Sequence, residues 1–250
     1  MIVVHIVSYV FNISFTICSF LFYIFLLFVY FHKSTLNSIK NVIFKRMIFT
    51  GIFAFLFEIL YLILIQCSHS LLLIGIIKKL VIISSILILL LWIYYVLIIA
   101  FEKNDKVSNF ISQHHTTIDI YIMIVLIVFS IIEFILPFSY SLGNHTLVRF
   151  VKGAGIIFPW IIASIFSLIP IPFIIHQKCF YKKNLIPYYV MMILFLLMEI
   201  ICLVWKEISI IGFVISFCFY TIYYRLENPD ITYIRSYYKD HERLRSLREK

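Results

Sequence analysis

Three carboxylates stand inside long apolar runs: Glu58, Glu133 and Glu199. An ionised acid in hydrocarbon costs at least ~2.5 kcal/mol on insertion scales, so each is expected to be neutral, paired or facing a wet cavity. Each lies roughly four to eight residues before the loop that follows it, about 6–12 Å of helix rise, so the three can share one depth. Lys78, Lys79, Arg149, Lys152 and Lys206 fall on the same side of the membrane and are available as partners. Three uses stay open: separate pairings that hold helices in register, one polar pocket for a ligand or cation, or a proton relay.

A second constellation is steric. Gly155, Pro159, Ala163 and Ser167 recur every four residues, with Gly153 just ahead, and fall on one face of a helix. Small residues on one face let a neighbouring backbone approach closely, and Pro159 adds a kink or hinge. Pro170 and Pro172 are expected to end that helix. The other reactive types are dispersed. His114-His115 lies in a polar loop without a second ligand pair, and Cys18, Cys67, Cys179, Cys202 and Cys218 show no metal or disulfide spacing. No phosphate loop, nucleophile elbow or metalloprotease motif occurs, so no catalytic residue, metal or cofactor is assigned. Asn144-His145-Thr146 matches a glycosylation sequon, a frequent chance match.

The elements that carry these residues are membrane spans. The 250 residues are 63% hydrophobic and 13% charged, with a mean hydropathy of +1.06, far outside the soluble range. Seven apolar segments can be drawn, at 3–31, 47–66, 80–101, 118–138, 154–175, 186–205 and 208–226. The fold class expected is all-α: a polytopic membrane protein of seven transmembrane helices, residues 1–226, followed by a short cytoplasmic helix, 227–250. Lys78-Lys79 cannot sit at bilayer centre, so Leu71 to Ile77 is read as interfacial and the third span as starting after the lysines. The retained first run, without a small-residue cleavage site, reads as a helix rather than a signal peptide.

Of the 21 Lys and Arg, 16 fall on one side: the loops 32–46, 102–117 and 176–185, and the tail from Arg225. That side is expected to be cytoplasmic, which puts the N-terminus outside and the C-terminus inside a cell membrane. The net charge of +9 is therefore a topology signal and gives no case for nucleic acid as a partner. Tyr94-Tyr95, Tyr188-Tyr189, Trp205, Tyr220, Tyr223-Tyr224 and Tyr237-Tyr238 are expected to form interfacial belts.

Past Arg225 the pattern changes. Glu227-Asn228-Pro229-Asp230 can open a new helix, with Asn228 as N-cap, Pro229 in the first turn and Asp230 at the positive end of the dipole. Ile231, Ile234, Tyr238, His241 or Arg245, and Leu244 with Leu247 then approximate a thin apolar stripe, fit for a dimeric coiled-coil stem or for a basic helix lying on anionic lipid. The run Thr221 to Ile231, Thr-Ile-Tyr-Tyr-Arg-Leu-Glu-Asn-Pro-Asp-Ile, closing a seven-helix region, resembles the N-terminal sensor region of certain Firmicute sensor histidine kinases.

The resemblance implies a two-component membrane sensor whose stem leads to a dimerisation helix with a phospho-accepting His and then to an ATP-binding domain. This chain has neither part: it has no Gly-rich ATP lid, and His241-Glu242 is too close to the membrane to be the phosphoacceptor. It is expected to be an input module without its kinase core, with the lipid bilayer, a second copy through the stem and an unidentified small ligand as partners. A small transporter or permease is the alternative, since the buried acids allow it, but no internal repeat or paired broken spans support it. A membrane-embedded enzyme ranks last because converging catalytic groups are missing.

Overall fold

The computed structural model of the protein describes residues 2–32, 39–67, 70–101, 105–142, 148–176, 188–190, 192–194, 197 and 211–223. Three long helices come first: α1 (Ile2–His32), α2 (Ile39–Cys67) and α3 (Leu71–Phe101). At 1.5 Å per residue a 31-residue helix such as α1 or α3 runs about 46 Å, well beyond the ~30 Å of hydrocarbon it has to cross. α2 takes in Lys40, Lys45 and Arg46 before its apolar run begins, and α3 starts at Leu71, ahead of Lys78-Lys79, as one continuous helix.

A short amphipathic helix, α4 (Asp105–Gln113), leads into α5 (His115–Ile135). α6 (Ala154–Leu168) continues through Pro159 and is interrupted at Ile169, where Pro170 opens α7 (Pro170–His176). The last described helix, α8, spans Ile211–Ile222. Among the described residues five helices are long and apolar enough to cross a membrane: within α1, α2, α3 and α5, and from Ala154 to Pro172. The expected sixth and seventh spans, 186–205 and 208–226, fall partly outside the described residues, and the stem, with Glu227, Asn228, Pro229 and Asp230, wholly outside them.

One element departs from the all-helical expectation. Between α5 and α6 the chain forms an antiparallel hairpin of β1 (Ser139–Leu142) and β2 (Val148–Lys152), with Ser139 opposite Lys152, Tyr140 opposite Val151, and an irregularity between Ser141 and Leu142. Tyr140 and Val151, on one face of that ladder, pack against Tyr61, Leu62, Ile65, Ile74 and Ile77, so the hairpin covers the end of α2 and the start of α3. The Tyr140 hydroxyl donates to the Leu71 carbonyl at 3.0 Å.

α3 is the axis of the bundle. It packs against α2, α4, α5, α6 and α7, and it is the most buried of the five membrane helices. Its second half carries the main core, where Trp92 stacks on Tyr188 at 5.2 Å and the Tyr188 hydroxyl donates to the Ser167 carbonyl of α6. Tyr94, Tyr95, Tyr188 and Tyr223 are buried in the bundle, against the expectation of an interfacial belt; Tyr220 is exposed. Their rings fill space between helices instead of standing at the headgroups, because a thick aromatic side chain near a helix end serves either purpose.

Glycine sets the closest approaches. The Tyr23 ring of α1 lies where a side chain on Gly51 of α2 would be, the Tyr140 hydroxyl stands 2.5 Å from where a Gly75 Cβ would sit, and the Phe138 ring occupies the same place at Gly155. Each is a small residue on a helix taking a ring from its neighbour.

Candidate functional site

Hydroxyls inside the helices are satisfied locally. Thr16, Ser84, Ser85, Ser130 and Ser164 each donate to the carbonyl four residues back, and Ser167 to the carbonyl of Ser164. Such bonding back to the same helix lets a polar residue sit in hydrocarbon at small cost. Glu133 has no comparable solution. It is 0% exposed, and neither carboxylate oxygen has a hydrogen-bond partner.

Three elements make its surroundings. α5 and α6 run antiparallel, aligned by the stacked rings of Phe129 and Phe158, so Glu133 comes opposite the first turn of α6. One of its oxygens stands 3.3 Å from where a Cβ on Gly155 would be. Gly153, at φ 111°, turns the chain from β2 into α6, and its carbonyl accepts from the amides of Ile156 and Ile157. A glycine is needed there, since other residues rarely take that backbone angle.

From α3 comes Lys79. Its ammonium donates to the carbonyls of Phe134 at 2.9 Å and Leu136 at 3.0 Å, and lies 5.5 and 5.0 Å from the ring centres of Phe134 and Phe138. The last carbonyls of a helix are its negative end, so a cation is well placed there. This explains how a lysine pair is held in the first third of α3: with eight residues of helix before it, Lys79 is level with the end of α5, at the boundary of the apolar region. Lys79 is close enough to act on Glu133 electrostatically, yet it forms no ion pair with it.

Lys78, its neighbour, turns to α2, with its ammonium 4.4 Å from the centre of the Tyr61 ring. Glu58, half-buried, precedes Tyr61 by one turn of α2. The two acids therefore lie on different sides of α3, Glu58 by the Tyr61 ring that Lys78 covers and Glu133 by Lys79. Glu199 lies outside the described residues.

Gly155, Pro159, Ala163 and Ser167 are the buried residues of α6. No group of three or more His, Cys, Asp or Glu able to hold a metal ion occurs among the described residues, where Cys18 and Cys67 are free thiols. Sequence reasoning named Lys79 as a partner for an acid, but its bonds to the α5 carbonyls leave no trace in residue types. Phe138, Tyr140 and Gly75 were missed altogether. The available signal was the turn-forming Gly143-Asn144 between two runs of β-prone residues, which marks a hairpin.

Comparison with protein-family models, with curated proteins and with solved structures gives no match. The helices define the class: a mostly helical chain with five helices long and apolar enough to cross a membrane, and a small two-stranded hairpin among the described residues.

Proposed function

We propose that this chain is the input region of a membrane signalling protein of the two-component type, passing a change in the bundle to an output domain through the segment after α8. The observation that carries the reading is the seating of α8. Phe219 is fully buried, 5.0 Å from the ring of Tyr23 in α1 and 6.0 Å from that of Phe44 in α2, while Tyr223 meets Tyr30 at 6.4 Å. The helix that leads to the C-terminal segment is thus wedged into the aromatic core, and a repacking of α1 to α3 has to move it.

The seven-span arrangement is part of the proposal. α8 runs parallel to α1, since Phe219 and Tyr223 meet Tyr23 and Tyr30 in that order. Tyr188 lies beside Trp92, toward the C-terminal end of α3. The proposal keeps 186–205 as the sixth span, as the apolar run in the sequence suggests. With the basic loops inside, the hairpin and the Glu133 site face the exterior.

The test fuses residues 1–250 to a histidine-kinase core and inserts one to four residues after Lys250. Each residue turns the attached domain by about 100°, so output is expected to vary with the helical phase of the insert. Output that stays constant over the series means that the segment is a tether and overturns the reading. A small transporter is the second reading, favoured by the fully buried Glu133; uptake into vesicles that is abolished by Glu133→Gln would support it.

A further inference from the structure

We infer that Glu133 is a proton-binding site at the hairpin end of the bundle, and that its charge state decides where the Lys79 ammonium sits. The inference does not depend on whether the protein signals or transports.

The position of Lys79 carries it. In a low-dielectric setting a full negative charge holds an ammonium more strongly than a neutral carbonyl does. Lys79 nevertheless spends its ammonium on the carbonyls of Phe134 and Leu136, although Glu133 is the residue next to Phe134. That is the arrangement around a neutral acid, and it accounts for a buried carboxyl without a partner.

The ionised form also has a place in this fold. The first turn of α6, the positive end of a 15-residue helix, faces Glu133 at Gly155, and Lys79 lies near enough to act on it electrostatically. The other charged and titratable groups nearby are turned elsewhere. Lys78 lies over Tyr61, Tyr140 bonds to Leu71, Lys152 is exposed, and α6 contains no titratable residue.

Two states follow. With Glu133 protonated, Lys79 ties α3 to the end of α5 and to Phe138, the root of the hairpin. When the proton leaves for the water beyond the hairpin, the ammonium moves to the carboxylate, and Phe134 and Leu136 lose their donor. The hairpin root is then held by fewer bonds. A proton is the ligand, and the hairpin reports its binding.

The experiment uses the full chain in lipid nanodiscs. Difference infrared spectra over a pH titration are expected to show the carbonyl stretch of a protonated carboxyl that Glu133→Gln removes and Glu133→Asp shifts. Absence of a band that responds to either variant overturns the proposal. Hydrogen exchange of the hairpin amides, corrected for intrinsic rates, is expected to speed up about tenfold as Glu133 ionises, the scale of a lost charge-assisted hydrogen bond. Glu133→Gln should hold the slow rate at every pH, and Lys79→Gln the fast one. If Glu133→Gln and wild type share one pH profile, Lys79 does not follow the proton and the coupling is overturned. Should Glu133→Gln fail to accumulate, the Glu133→Asp spectrum and the Lys79→Gln exchange profile decide the same two points.

Discussion

Tyr140 shows what a single hydroxyl does at the membrane boundary. It lies outside the spans, and burial holds its phenol above the ordinary value of 10.0. Only the neutral phenol can donate to Leu71, so the bond stabilises the fold fully below the unfolded value and is lost as pH rises through the higher folded one. Tyr140→Phe is expected to lower stability by about 1 kcal/mol at neutral pH and to remove this part of the alkaline loss. Thermal unfolding of both proteins between about pH 8 and pH 12 checks it: the curves should converge as the wild-type phenol ionises. Curves that stay parallel would mean the hydroxyl bond adds nothing.

At the scale of elements, five of the seven expected spans are matched by helices long and apolar enough to cross a membrane, and which face of each points inward was not legible. A 20-residue apolar run announces a membrane helix whatever surrounds it. Which side points inward is hidden, because lipid tails are as apolar as a core, and so Tyr94, Tyr95 and Tyr188 read as a belt when they are packing residues. The stripe of α6 was an exception, since small residues every four positions speak of closeness, and all four are buried. α4 was passed over as polar loop, though Val107, Phe110 and Ile111 stand at helical spacing. In the site, the acids were conspicuous by type, whereas the α5 carbonyls that hold Lys79 are backbone and belong to no residue type.

The contact of Gly155 with Phe138 makes that closeness testable. Gly155→Ala sets a methyl against the Phe138 ring and is expected to cost about 1–3 kcal/mol, the range for overpacking. In a Phe138→Ala background most of that cost should vanish, a coupling visible in a double-mutant cycle of unfolding midpoints. Equal costs in the two backgrounds would place the strain elsewhere.

For the whole molecule, the two ends of the bundle differ in chemistry. At one, Lys45 lies 5.2 Å from the ring centre of Phe31, and Arg46 bonds Asp119 at 2.7 Å, joining α2 to α5. At the other stand the hairpin, Lys78 and Lys79. Reporter fusions after Lys183 and after Lys250 are both expected to read cytoplasmic, and a reporter in the hairpin turn to read exterior. A Lys250 fusion on the hairpin's side would remove the seven-span arrangement.

The pairing of α1 with α8 has a consequence for biosynthesis. The ribosome delivers Tyr23 and Phe44 early and Phe219 some 175 residues after Phe44, so the aromatic face of the first two helices enters the membrane without its filler. Until α8 arrives, that face has only lipid or an insertase to cover it. Assembly closes in reverse order of synthesis at this seam, and a nascent chain halted before α8 would expose the surface that membrane quality control is built to recognise.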